Sequence, residues 1–232
     1  PCVWYCHEPS AFVHSDEVLT AVPAGAMRTT LRVVRPALQV FDRWLVRRAA
    51  DPIIVNSRYT AGEVERIYGR SADAVIHPGA DFSYFVPSVH KQPYLLMAGR
   101  LTAYKRVERA IETLPYLRHT EMRLVLAGDG EERTNLEHRA RQLGVIDRVE
   151  FSGDVSLQER AELYGQATLG LALREWESFG MFAVESLACG TPVIAANSGG
   201  LREIVQDGVN GLFLPDDTPQ ARGHQSGRAP GL

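Results

Sequence analysis

Glu177-Ser178-Phe179-Gly180-Met181-Phe182-Ala183-Val184-Glu185 runs directly into Ser186-Leu187-Ala188-Cys189-Gly190-Thr191-Pro192-Val193-Ile194-Ala195. Two carboxylates stand eight positions apart. The first lies on a glycine-containing turn, and the second on the helix that the turn opens. An apolar strand follows after Gly190-Thr191-Pro192. At a rise of about 1.5 Å per residue, eight helical residues span roughly 12 Å. Carboxylates only accept hydrogen bonds, so they suit hydroxyls and repel phosphates. Backbone amides at a helix start suit phosphates. The turn Ser178-Phe179-Gly180 can offer such amides, and Gly180 allows close approach to the backbone. The stretch therefore reads as hydroxyl binder, phosphate cradle, hydroxyl binder.

The strands around it decide the fold class. Short apolar runs at Tyr94-Ala98, Arg123-Ala127, Val149-Phe151, Leu169-Leu173, Val193-Ala196 and Leu212-Leu214 alternate with amphipathic helices. Val107, Ala110, Ile111 and Leu114 keep the i, i+3, i+4, i+7 spacing of one buried face. This alternation predicts a parallel sheet covered on both faces. Ligands of such sheets bind outside the carboxyl ends of the strands. The loops that matter follow Ala98, Ala127, Phe151, Leu173 and Ala196. Upstream, Cys2-Cys6 reads as a strand, Asp51-Ser57 as a short strand ending at a helix cap, Arg58 to Tyr68 as a helix and Ala74-Ile76 as a strand. Phe82 to Pro93 reads as a linker.

Of the loops at strand ends, Gly99-Arg100-Leu101-Thr102-Ala103-Tyr104-Lys105 carries two cations five apart, entering a helix. Arg offers a planar fork and Lys a point charge, and a diphosphate fits there. Ala127-Gly128-Asp129-Gly130 lacks the third glycine of a dinucleotide fingerprint, which argues against a hydride-transfer enzyme. His7-Glu8-Pro9 follows the first strand. His7 and His14 do not make the H-E-x-x-H zinc spacing, and Cys2, Cys6 and His7 lack further ligands at zinc spacing.

The pattern around Glu177 and Glu185 resembles the E-x7-E motif of retaining GT-B glycosyltransferases of family 4. Gly99 to Lys105 resembles the G-R-L-x(4)-K segment of that family, and Ala127 to Gly130 its A-G-D-G turn. The resemblance covers Cys2 to Asp217 and is strongest from Gly99 to Pro215. It implies an α/β GT-B fold of two Rossmann-like domains with parallel sheets, the N-terminal one incomplete. Residues 1–86 would be the C-terminal part of the acceptor-side domain with its linker. Residues 87–217 would be the nucleotide-sugar-binding domain, and 218–232 a disordered tail, rich in Gly, Pro, Gln and Arg. The opening on Pro1, directly into a strand, is read as a cut inside one domain.

By the same resemblance, Glu177 holds hydroxyls of the donor sugar and Glu185 the ribose. Ser178, Phe179, Gly180 and Met181 cradle the donor. Arg100 and Lys105, with Gly99, neutralise the diphosphate as it leaves. Asp154 and Val155 lie where the family packs the base. His7 lies at the family's His-x-Pro position, near the donor phosphate and reacting carbon. The implied reaction moves a sugar from a nucleotide-sugar donor to a hydroxyl acceptor, glycan or lipid-linked, with retention. No metal and no cofactor is called for, and no Asp-x-Asp motif is present. The alternatives are a nucleotide-sugar epimerase of GT-B fold and a non-catalytic nucleotide-binding remnant.

Composition bounds the rest. In 232 residues, 45 % are hydrophobic and 23 % charged, ordinary for a globular protein. A formal net charge of -3 gives no reason to expect nucleic acid. Three cysteines without framework spacing fit a reducing compartment, and a cytoplasmic place is expected. Pro36 to Ala50 reads as a basic amphipathic helix. Its apolar face, Ala37, Val40, Phe41, Trp44 and Leu45, is expected to pack on a sheet. Arg43, Arg47 and Arg48 lie off that face and leave open a peripheral contact with the inner face of the membrane.

Overall fold

The computed structural model describes residues 2–16, 19, 22, 25–117 and 121–215. The expected tail, 218–232, lies outside them. The described residues form two compact units, divided after 79, with 176–179 belonging to the first.

In the first unit, β1 (Cys2–Cys6) pairs in parallel with β2 (Ala50–Val55), and β2 with β3 (Ala74–Val75). Helices α1 (Ala11–His14), α2 (Ala26–Ala49) and α3 (Arg58–Tyr68) complete the described elements. Cys6, Val46, Ile53, Val55, Val64, Ile67 and Tyr68 form its core. Ser57 caps α3: its Oγ accepts from the Thr60 N–H at 2.9 Å, the bond that an orphan amide at a helix start requires.

Helix α2 corrects two expectations. It starts ten residues before Pro36, which sits inside it. A proline removes one bond from the ladder, and a 24-residue helix retains enough others to continue through it. The face expected to be buried is exposed, with Val40, Phe41 and Trp44 all more than half accessible. The inward face is largely polar instead. Arg35 Nε and Gln39 Nε2 donate to Val13 O at 2.8 and 3.0 Å, and Asp42 Oδ2 lies 2.8 Å from His14 Nε2 and accepts from Tyr68 Oη at 2.9 Å. Hydrogen bonds to α1 and α3 hold Arg35, Gln39 and Asp42 on the inward side.

The second unit holds a six-stranded parallel sheet: β4 (Tyr94–Ala98), β5 (Arg123–Ala127), β6 (Val149–Gly153), β7 (Leu169–Ala172), β8 (Val193–Ala195) and β9 (Gly211–Phe213). Their spatial order is β6-β5-β4-β7-β8-β9. Helices α4 (Val107–Thr113), α5 (Arg133–Gln142), α6 (Leu157–Gln166), α7 (Met181–Ala188) and α8 (Leu201–Ile204) connect them. Leu95 and Met97 face one core cluster, and Tyr94 and Leu96 another, so β4 is buried on both sides. That is why it and β5 read as unbroken apolar runs. Phe85 also lies in the second unit's core, beside Tyr94 and Tyr164. The order reverses between β4 and β7: from β4 the chain first winds outward through β5 and β6, then returns to β7 on the other side. Ligands of doubly wound sheets bind at such a reversal.

Candidate functional site

The two loops at this reversal are those after β4 and after β7. The first is the Gly99–Lys105 loop. The second leads through Arg174–Phe179 into α7.

The loop after β4 is fixed by its neighbour after β5. Gly99 N–H donates to Ala127 O at 2.8 Å, Leu101 N–H to Asp129 O at 2.9 Å and Glu132 N–H to Leu101 O at 3.1 Å. A Cβ on Gly128 would stand 2.2 Å from Gly99 O, and φ at Gly128 is +140°. A Cβ on Gly130 would stand 2.3 Å from Leu101 O. The two glycines of Ala127-Gly128-Asp129-Gly130 thus let two strand-end loops touch backbone to backbone. On this platform Arg100 is exposed, 4.0 Å from Glu131. Lys105 is half-buried in a single 3-10 turn. Arg106 follows in a left-handed conformation at φ 56° and opens α4.

Helix α7 starts where the sequence places it. Gly180 is its N-cap, at φ 108°. A side chain is excluded there twice over, by φ and by Leu201 Cδ2, which a Cβ would meet at 2.6 Å. The ladder begins with the Ala183 and Val184 N–H groups donating to Gly180 O. The amides of Met181 and Phe182 therefore stand ahead of it, in the position that suits an anion. Met181 is exposed. Glu185 lies on the second turn of the helix, with only 11 % of its side chain accessible. Its Oε2 accepts from Tyr164 Oη at 2.9 Å, and Arg160 Nη2 lies 3.4 Å from its Oε1. Burial, and next the negative charge of Glu185, push the Tyr164 phenol well above its ordinary range.

The other half of the glutamate pattern belongs to the first unit. Glu177 is half-buried. Ser178 O accepts from Ser57 Oγ at 2.5 Å, and the buried Phe179 ring stacks on His77 at 5.4 Å. His7 follows β1, exposed, with its ring edge-on to Tyr5 at 4.7 Å; its carbonyl accepts from Asn56 Nδ2 at 2.8 Å. Asp154 is exposed, and Val155 packs against the second unit's core. Gly99, Arg100 and Lys105 thus follow β4, and Gly180, Met181 and Glu185 lie on the turn and helix that follow β7, the two strands that flank the reversal. The sequence reading missed Tyr164 and Arg160, which stand on α6, one turn apart, against Glu185. No spacing signal joins them to a glutamate more than twenty residues on. Among the described residues, no cluster of His, Cys, Asp and Glu could hold a metal ion.

The parallel sheets and the order of the second unit define a GT-B-class α/β protein, a fold shared with solved glycosyltransferases. The chain belongs to the family of glycosyl transferases group 1, whose profile matches residues 83–224. It is 34 % identical to the D-inositol 3-phosphate glycosyltransferase of Xylanimonas cellulosilytica, over 90 % of this chain and 55 % of that protein. Among solved structures it resembles Anabaena Alr3699/HepE in complex with UDP and glucose, with a TM-score of 0.75, 24 % identity, and coverage of 92 % of this chain and 57 % of that one. Sucrose-phosphate synthase from Thermosynechococcus elongatus gives a TM-score of 0.71, 24 % identity, and coverage of 92 % and 56 %. The chain spans about half the length of the curated relatives it matches.

Proposed function

We propose that the protein is a retaining, metal-independent glycosyltransferase of family 4 that takes its sugar from a nucleotide diphosphate donor, first of all a UDP-sugar. The observation that carries this reading is Glu185: an almost buried carboxylate, five residues into a helix whose N-cap must be glycine, beside the reversal of a parallel sheet. A carboxylate so placed accepts from a ribose diol. The amides of Met181 and Phe182 face the diphosphate, and Arg100 and Lys105 carry its charge. That charge neutralisation is what a metal otherwise supplies. Glu177 takes the sugar hydroxyls, with Ser178 and Phe179 shaping the turn. Asp154 and Val155 flank the base, and His7 serves the reacting end.

The acceptor is a hydroxyl compound, glycan or lipid-linked; the names of the curated relatives add a phosphorylated inositol to that set. No helix of the described residues is long and apolar enough to cross a membrane. The exposed Phe41 and Trp44 beside Arg43, Arg47 and Arg48 support a peripheral contact with an anionic leaflet, at the cytoplasmic face. The test is binding of UDP, GDP and ADP in the presence of a chelator, to the wild type and to Glu185→Ala. Stabilisation by one nucleotide, lost in the variant, is expected. A cooperative melt that no nucleotide shifts would overturn the reading. Incubation with donor alone separates the epimerase alternative, which would return a changed sugar.

A further inference from the structure

In the sequence Glu185 is paired only with Glu177, yet in the structure it is one end of a chain of fixed groups. Tyr164 is almost wholly buried, at 1 % accessibility. Its ring is held by Phe85 at 5.9 Å and Phe182 at 5.2 Å. Its carbonyl accepts from Thr191 Oγ1 at 2.6 Å, and Lys91 Nζ donates to the same Oγ1 at 2.6 Å. The helix carrying it is started by a reciprocal cap: Ser156 Oγ accepts from the Glu159 N–H, and Glu159 Oε2 from the Ser156 N–H. Thr191, which grips the Tyr164 backbone, follows the turn that ends α7, and Ser186 Oγ donates to its carbonyl at 3.0 Å. Tyr164 is therefore fixed at its backbone, at its ring and at its hydroxyl, and three of its anchors, Phe182, Glu185 and Thr191, lie on or just after the helix that bears Glu185.

We propose that Tyr164 is a positioning residue for nucleotide recognition: its hydroxyl, donating to Glu185 Oε2, holds the carboxylate with its remaining acceptor sites toward the ribose diol. This rests on the reading of Glu185 as the ribose ligand. A carboxylate has about four acceptor positions. Tyr164 occupies one of them, and Arg160 approaches the other oxygen at 3.4 Å. Acceptor positions on both oxygens therefore remain for a ligand, although only 11 % of the side chain is accessible. Because the phenol stays protonated well beyond neutral pH, the donor persists at every pH at which a nucleotide would bind. A group needed only to satisfy a buried acceptor would support the fold equally with or without ligand. A positioning group alters discrimination between a ribose and a deoxyribose.

The experiment is calorimetric titration of wild type, Tyr164→Phe, Arg160→Leu and Glu185→Gln with UDP, 2′-deoxy-UDP and 3′-deoxy-UDP, alongside melting curves without ligand. The phenylalanine keeps the ring packing and removes one charge-assisted hydrogen bond. UDP binding is expected to weaken about tenfold, and the preference for UDP over the deoxy compounds to shrink toward that of Glu185→Gln. A Tyr164→Phe protein with lowered Tm but unchanged preference would show the bond to be structural and overturn the proposal. Should Tyr164→Phe not fold, Arg160→Leu decides: its arginine is partly exposed, and it is expected to reduce the same preference two- to threefold, whereas an unchanged preference counts against a held carboxylate. Equal binding of UDP by wild type and Glu185→Gln would overturn the ribose reading itself, and this outcome is distinct from failure of Tyr164 alone.

Discussion

Replacing Gly180 by alanine tests how tightly the start of α7 is specified. Two separate effects add. An L-residue held at positive φ costs about 1–2 kcal/mol. The new Cβ also meets Leu201 Cδ2 at 2.6 Å, with Leu201 Cγ at 3.5 Å and Ile204 Cδ1 at 3.6 Å. Leu201 is 1 % accessible and has little room to retreat, so overpacking adds about 1–3 kcal/mol. The expected loss is about 2–5 kcal/mol, or a fall in Tm of roughly 5–15 °C for a unit of this size. Urea unfolding followed by circular dichroism measures it. The two effects separate in a Leu201→Ala background, where the clash is gone and only the φ cost of about 1–2 kcal/mol remains. A Gly180→Ala cost below 1 kcal/mol, or one equal in both backgrounds, would refute the reasoning.

Gly128→Ala meets a backbone oxygen rather than a side chain, so no second substitution should rescue it; a loss of at least about 3 kcal/mol is expected by urea titration, together with weaker nucleotide binding. Ser57→Ala removes the α3 cap and a donor to Ser178 O, and should cost about 1–3 kcal/mol in chemical unfolding. Burial raises the Cys6 thiol from 9.0 to about 12. The unfolded chain thus releases this proton first, and stability falls as pH rises from about 9 to 12, by up to about 1.4 kcal/mol per unit; Cys6→Ala should flatten that limb of a pH series of urea titrations. Alkylation at pH 8 followed by mass spectrometry should label the exposed Cys2 and spare the buried Cys6 and Cys189 until denaturant is added.

The parts legible in the sequence were those set by local pattern. Tyr94–Ala98 and Arg123–Ala127 are strands over the residues read, because both faces of each are covered and the apolar run is unbroken. The turn and helix around Glu185 were legible because a glycine N-cap and an apolar helix leave few alternatives. Helix α2 shows the limit. Its stripe Val40, Phe41, Trp44 and Leu45 has the spacing of a buried face, but Arg35, Gln39 and Asp42 find partners on α1 and α3, and that pairing depends on residues far along the chain. Tyr164 was invisible for the same reason. Ser156 and Glu159 announce the start of its helix, but nothing in the order of residues says that the third turn reaches α7.

The backbone contact between Gly128 and Gly99 has a consequence for anyone rebuilding this protein. Leu101 N–H is held by Asp129 O, and Leu101 O by Glu132 N–H, so the segment carrying Arg100 takes its path from a neighbour some thirty residues away. Changing side chains at Arg100 or Lys105 retunes the charge presented to a ligand while the scaffold stays put. Grafting a loop of different length after β4 would break the register with the turn after β5. The two segments are one module for recombination, and exchanges between relatives should move residues 99–105 and 127–132 together.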